Sequence, residues 1–287
     1  MGNIVVIVPT LNRPRFVDRV IRWYTTIEIP VFIGDSSEKP QFSRMCPTGN
    51  PFVHYLHTPG QNELQASYTA LEAVEVSNRS RLSMGVRFIA WAGDDDLFLP
   101  GPLRDCQTVL DLDSGGTSAQ GHALIFVIKG NAVYGEIEST KHHPHDAFFR
   151  VYRKEVIGNA WKQVKDLPRP ILRREPRYGD QCGLPLDWWL QKHDSRRLPI
   201  GRVHVLRQVH PWRLTVPLDY REPWRSRLGH RFPRIQYLKQ RLNSWCWHQA
   251  RGQCVACSVL LPSLRHKRSP YYSDFAEVEN FLQWKTL

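Results

Sequence analysis

The sequence predicts an α/β fold on a mainly parallel sheet flanked by helices. Three observations carry that prediction. Strand-like apolar runs alternate with helix-periodic stretches five times between residues 3 and 128, the pattern of a layered α/β protein. Residues 3–9, from Asn3 to Pro9, are a near-continuous β-branched run, as in a strand covered on both faces. Polar clusters close three of the runs, Thr10–Arg13, Asp35–Ser37 and Asp94–Asp96. Open α/β sheets bind their ligands outside the carboxyl ends of the strands.

The elements follow in order. Pro9 to Pro14 is turn-rich, and from Pro14 the residues Phe16, Val17, Val20, Ile21 and Tyr24 recur at helical spacing, with proline early, where its missing N–H does no harm. Pro30 to Gly34 predicts a second strand and Phe52 to Leu56 a third. Asn62 to Val76 predicts a helix, Val86 to Trp91 a fourth strand, Pro102 to Leu112 a helix, and Ala123 to Ile128 a fifth strand. Farther on, residues 147–152 predict a strand, Lys154 to Val164 a helix, Leu186 to Lys192 a short helix and Ile200 to Leu206 a strand. Residues 165–183 form a Pro- and Arg-rich loop long enough for a functional lid.

The chain has 287 residues and a formal charge of +12. Residues 1–146 hold 12 Lys and Arg against 16 Asp and Glu, and residues 147–287 hold 27 against 11. The basic character therefore belongs to the C-terminal half, and such a surface attracts nucleic acid, anionic lipid or a phosphorylated substrate. No apolar run approaches the ~18 residues of a membrane span. The N-terminus enters a strand at once, without a basic leader, and six unevenly spaced cysteines suit reduced thiols. The expected location is cytoplasmic, with peripheral contact at the inner face of a membrane as an option.

Three adjacent carboxylates, Asp94, Asp95 and Asp96, raise one another's pKa unless cations or donors compensate. A hard divalent cation binds one or two carboxylates together with substrate phosphates. The competing reading is a solvated turn that caps the next helix. There is neither a Gly-x-Gly-x-x-Gly after the first strand nor a Walker sequence, which disfavours a dinucleotide fold and a P-loop NTPase. His142, His143 and His145 resemble a metal cluster but read as a Pro-interrupted surface loop. Cys246, His248, Cys254 and Cys257 offer a zinc-like set without a matching second pair, so the cysteines read as core thiols. From His210 to Arg241 arginines interleave with Trp224, Leu228 and Phe232. That composition suits either a solvated tail or a lipid or acidic contact.

Val8 to Arg13, Gly34 to Ser37 and Gly93 to Pro100, in this order and separation, resemble the GT-A glycosyltransferases, and among them the bacterial family 2-like enzymes. The resemblance covers residues 3–128 well and 147–215 loosely. It implies a Rossmann-like GT-A domain over residues 1–215. Residues 1–130 would be its nucleotide-sugar half and 131–215 its acceptor half, with a basic, Trp/Arg-rich helical extension at 216–287. It further implies that Pro9, Thr10, Asn12 and Arg13 line the nucleotide pocket and that Asp35 accepts a hydrogen bond from the base. Asp94 would face the ribose or sugar, and Asp96 would reach a Mn²⁺ or Mg²⁺ on the diphosphate. An alignment on Pro100 makes Asp95 the ligand instead. The family's base matches Asp187, with Asp180 as the rival, and His210 resembles a late histidine near the metal.

The expected function is transfer of a sugar, with inversion, from a nucleotide-diphosphate sugar to a hydroxyl of a glycan or lipid-linked acceptor. The base takes the acceptor's proton and the metal neutralises the leaving diphosphate. Sugar nucleotidyl transfer is the enzymatic alternative; it uses a Gly-rich loop after the first strand, which Pro9–Arg13 lacks. A nucleic-acid or anionic-surface binding protein is the non-enzymatic one, though no nucleic-acid-binding module is recognisable.

Overall fold

The structure is a computed structural model that describes residues 3–41, 50–78, 85–129, 132–138, 149–166, 186, 189–190, 192–193 and 196–208. The described elements run β1 (Ile4–Thr10), α1 (Pro14–Thr26), β2 (Val31–Asp35), β3 (Val53–His57), α2 (Glu63–Asn78), β4 (Phe88–Trp91), β5 (Asp96–Phe98), α3 (Pro100–Leu112), β6 (Ser118–Lys129), β7 (Ala132–Glu138), β8 (Arg150–Arg153), α4 (Lys154–Val164) and β9 (Arg197–Gln208). The predicted α/β class holds, and the predicted bounds of α4 coincide with the observed ones.

The strand order is β3-β2-β1-β4-β8-β6-β9-β5. The first four strands are parallel, with β1 between β2 and β4. Every residue of β1 is buried, because its β-branched side chains have protein on both faces. Beyond β4 the direction changes, since β8 pairs antiparallel with both β4 and β6. The described residues fall into two compact units. Those within Leu124–Glu138, which include β7 paired with β6, belong to the second, and the site described below lies wholly in the first.

One face of the sheet presents Val5, Ile7, Phe32, Ile89, Trp91 and Tyr152 to α2 and α4, which bring Leu71, Val74, Ile157 and Trp161. Trp91 meets Trp161 edge-on, ring centroids 5.4 Å apart, and its indole N–H donates to Ser67 Oγ at 3.0 Å. Indole is large and apolar but carries one donor, so it buries without loss only where an acceptor waits. Helix α2 starts on a reciprocal cap: Gln65 N–H donates to Asn62 Oδ1 at 2.9 Å, and Gln65 Oε1 accepts from Asn62 N–H at 3.0 Å. The helix comes so close to β2 that a Cβ on Gly34 would lie 2.7 Å from the Ala66 carbonyl oxygen. Only glycine allows that approach.

Helix α1 secures the short strand β5. Trp23 Nε1–H donates to the Phe98 carbonyl at 2.9 Å, and Phe98 N–H donates to the Tyr24 hydroxyl at 3.2 Å. On its other side, Leu99 N–H donates to the His204 carbonyl of β9 at 2.9 Å. The C-terminal end of β5, which begins at Asp96 of the acidic cluster, is therefore held from two sides by elements distant in sequence.

Candidate functional site

The carboxyl ends of β1, β2 and β4 lie side by side in the parallel half of the sheet, with Thr10 opposite Asp35. After β4 the chain turns sharply: Asp96 N–H donates to the Gly93 carbonyl at 3.2 Å, placing Asp94 and Asp95 at the centre of a four-residue turn. All three aspartates are buried, with 3 to 5% of their surface exposed. They do not cap α3, whose N-cap is Leu99 with no side-chain hydrogen bond. The reading of the cluster as a solvated capping turn is thereby removed. Gly93 leaves room for the cluster, since a Cβ there would stand 2.7 Å from Asp96 Oδ2 and 2.9 Å from Asp95 Oδ1.

The loop after β1 supplies the partners. Thr10 Oγ1 donates to Asp94 Oδ2 at 2.6 Å. Arg13 Nη1 donates to Asp94 Oδ1 at 2.5 Å and to Asp95 Oδ2 at 3.2 Å. Between them Asn12 takes φ +57°, a left-handed conformation that asparagine tolerates better than most residues. Its N–H donates to Ser37 Oγ at 2.7 Å, and Ser36 N–H donates to the Thr10 carbonyl at 3.0 Å. Hydrogen bonds thus join all three predicted clusters into one network.

A second arginine belongs to this site. The charges of Asp95, Asp96 and Asp94 all act on Arg19 of α1, although burial dominates and pulls its pKa below the ordinary value. Arg13 and Arg19 both lie over the Phe16 ring, 5.5 and 4.8 Å from its centroid, a cation–π arrangement that holds the two guanidiniums together. For Arg13 burial acts downward, but the charges of Asp94 and Asp95 outweigh it and hold its pKa above the usual value. For Asp94 burial wins over Arg13, and the carboxyl is held above the usual carboxylate range. Arg19 escaped the sequence reading because it lies within an amphipathic helix. The available signal was an arginine three residues after Phe16 and four before Trp23, on a face otherwise apolar.

At the end of β2, Asp35 is fully buried. Its Oδ1 accepts from Ser37 N–H at 3.0 Å and from Ser37 Oγ at 2.5 Å. Its Oδ2 accepts from Gln41 N–H at 2.8 Å and from the Tyr55 hydroxyl. Burial acts upward on this carboxyl, but its four donors together outweigh it and hold its pKa below the ordinary value. Four donors fill the acceptor capacity of a carboxylate. Asp35 therefore organises its loop, and Tyr55, which the strand pattern of β3 does not single out, is part of the site. Beside it, His57 Nε2 faces the Ser37 carbonyl at 2.7 Å.

Pro9 is buried in β1 opposite Gly34, while Asn12 is exposed at the rim. Asp180, Asp187 and His210 lie outside the described residues, as do His142, His143, His145, Cys246, His248, Cys254, Cys257 and the 215/216 boundary. Leu186 and Leu190, on either side of Asp187 in sequence, are buried in the core cluster to which α2 and α4 contribute. Among the described residues no group of three or more His, Cys, Asp or Glu has the arrangement of a metal site. In the acidic turn, Asp94 already uses both oxygens toward Thr10 and Arg13. Asp95 and Asp96 are the carboxylates whose oxygens lie on the Gly93 side, and they are the pair that suits a hard cation. No helix of the described residues is long and apolar enough to cross a membrane.

No family model matches the chain, and no curated protein matches it. Among solved structures it is similar to TarS residues 1–349 of S. aureus, at 14% identity and a TM-score of 0.46, over 72% of this chain and 60% of that one. The same protein in complex with UDP-GlcNAc gives 12% identity and a TM-score of 0.48, over 72% and 58%. A CMP:2-keto-3-deoxy-manno-octonic acid synthetase complexed with CTP gives 10% and 0.38, over 72% and 89%. The chain thus spans about three fifths of the TarS chains it matches. All these TM-scores fall below 0.5, so the functional reading rests on the chain's own residues.

Proposed function

We propose that this protein is a glycosyltransferase that takes its sugar from a nucleotide-diphosphate donor. The observation that supports this reading is the single hydrogen-bonded network joining the ends of β1, β2 and β4 at one edge of a parallel sheet, the edge where such folds receive nucleotides. In this reading the loop Pro9–Arg13 lies along the donor. Asp94, held in one rotamer by Thr10 and Arg13, accepts from a ribose or sugar hydroxyl, for each carboxylate oxygen has a second acceptor site.

On the base side, a base N–H reaches Asp35 only by replacing one of its four donors. Gln41 N–H is the one with an alternative, since the Tyr55 oxygen lies 2.7 Å from it. Asp95 and Asp96 would hold a Mn²⁺ or Mg²⁺, which when bound supplies charge neutralisation for a departing diphosphate. In this reading Asp187, with Asp180 as rival, would be the base that takes the acceptor's proton, and His210 would act on the metal or diphosphate. The basic C-terminal half is assigned to the glycan or lipid-linked acceptor.

The test separates this chemistry from nucleotidyl transfer. The protein is incubated with nucleotide-diphosphate sugars and assayed for released nucleoside diphosphate, and in parallel with nucleoside triphosphates and sugar phosphates and assayed for pyrophosphate. Nucleoside diphosphate release supports the reading. Pyrophosphate formation without it replaces glycosyl transfer by nucleotidyl transfer.

A further inference from the structure

The three carboxylates of the acidic turn are answered from within the chain. Arg13 bridges Asp94 and Asp95 through one nitrogen, at 2.5 and 3.2 Å, and Arg19 feels all three aspartates. Three carboxylates against two guanidiniums leave one net negative charge. A divalent cation added to that set would face two half-buried guanidinium charges, and like charges repel more strongly where water is partly excluded. With Arg13 withdrawn, the cation, Arg19 and the three carboxylates would balance.

We propose that Arg13 is a resident counter-ion that competes with a divalent cation for Asp95, so that cation binding requires Arg13 to leave the acidic turn. The inference rests on the proposed function for the cation's role, but not for the competition itself. Arg13 is placed to move. It occupies the N-cap position of α1, where it makes no capping hydrogen bond with its side chain. Its side chain keeps 23% of its surface exposed, against 6 and 7% for Asp94 and Asp95. Arg19, farther into α1, is the arginine that stays. An incoming diphosphate offers Arg13 a bidentate anionic partner of the kind guanidinium prefers. Donor and cation would then bind cooperatively, because the donor draws away the group that keeps the cation out.

Competition predicts that removing Arg13 improves cation binding without any nucleotide present. Mn²⁺ alone is titrated into the full chain, and free Mn²⁺ is followed by electron paramagnetic resonance for the native protein, Arg13→Gln and Arg13→Lys. Arg13→Gln is expected to bind Mn²⁺ at least tenfold more tightly than the native chain. Arg13→Lys, which keeps the charge but not the forked geometry, is expected to fall between, and serves if the glutamine variant does not fold. Adding Asp95→Asn to either variant is expected to abolish the gain. Native affinity equal to or above that of the variants, an absence of Mn²⁺ binding in all of them, or a gain that survives Asp95→Asn would overturn the proposal. The assay contains neither donor nor acceptor, so its outcome is independent of whether glycosyl transfer is the reaction.

Discussion

Thr10 Oγ1 and Asp94 Oδ2 are 2.6 Å apart although 84 residues separate them in sequence. The bond ties the end of β1 to the turn after β4 and gives a buried carboxylate oxygen its donor. Thr10→Val keeps the side-chain shape and removes that donor. An unsatisfied buried acceptor costs about 1–3 kcal/mol, so urea unfolding should show a loss of that size. Nucleotide-sugar binding should weaken as well, since Asp94 loses one of the two contacts that orient it.

The two glycines that frame the site should behave differently. Gly34→Ala drives a Cβ against the Ala66 carbonyl of α2 at 2.7 Å, a backbone contact that cannot turn aside. Overpacking of this kind costs about 1–3 kcal/mol, which thermal unfolding would register. Gly93→Ala meets Asp95 and Asp96 oxygens instead. It should disturb the acidic turn, and its effect on donor binding should exceed its effect on melting temperature.

Tyr55→Phe removes one of the four donors on Asp35. The carboxyl then moves back toward its ordinary pKa, and the loop from Asp35 to Gln41 loses a tether, at a cost of about 1 kcal/mol. A group with a lowered folded pKa stabilises above its unfolded value and loses that contribution as pH falls through the folded one. The difference between native and Tyr55→Phe stability should therefore shrink below the ordinary carboxylate pKa of 3.8, as followed by denaturation at stepped pH.

His204 gives a second pH effect in a different window. Its ring is buried, with its nitrogens facing the carbonyls of His122 and Phe149, and burial brings its pKa from 6.5 down to about 4. The unfolded chain binds a proton there before the folded chain does. The two carbonyls act upward on the ring but burial outweighs them, so stability is complete above pH 6.5 and falls as pH drops toward 4. His204→Asn should flatten the stability profile across that interval. A native slope unchanged by the substitution would show that other groups cause it.

The parallel half of the fold was legible because local chemistry and tertiary environment agree there. The apolar run of β1, the early proline of α1 and the polar residues closing β1, β2 and β4 each state the same layout. The site's internal pairing was not legible. Arg19 and Tyr55 act across the fold, on Asp94–Asp96 and on Asp35, and spacing along the chain says nothing of such contacts. Strand β5 has three residues, too few to show a period, and it exists because Trp23, Tyr24 and His204 hold Phe98 and Leu99. The four donors on Asp35 were not legible either, since they come from a loop and a neighbouring strand that sequence pattern does not bring together.

The central claim is that the network around Asp94 holds a nucleotide-diphosphate sugar. Its most direct test is calorimetric titration of a panel of nucleotide sugars, with and without Mn²⁺, into the native protein and Asp94→Asn. The account predicts that at least one member of the panel binds the native chain, and that Asp94→Asn, while still folded, binds it at least tenfold more weakly. Equal affinity in the folded variant, or no binding of any nucleotide sugar by the native chain, would contradict it.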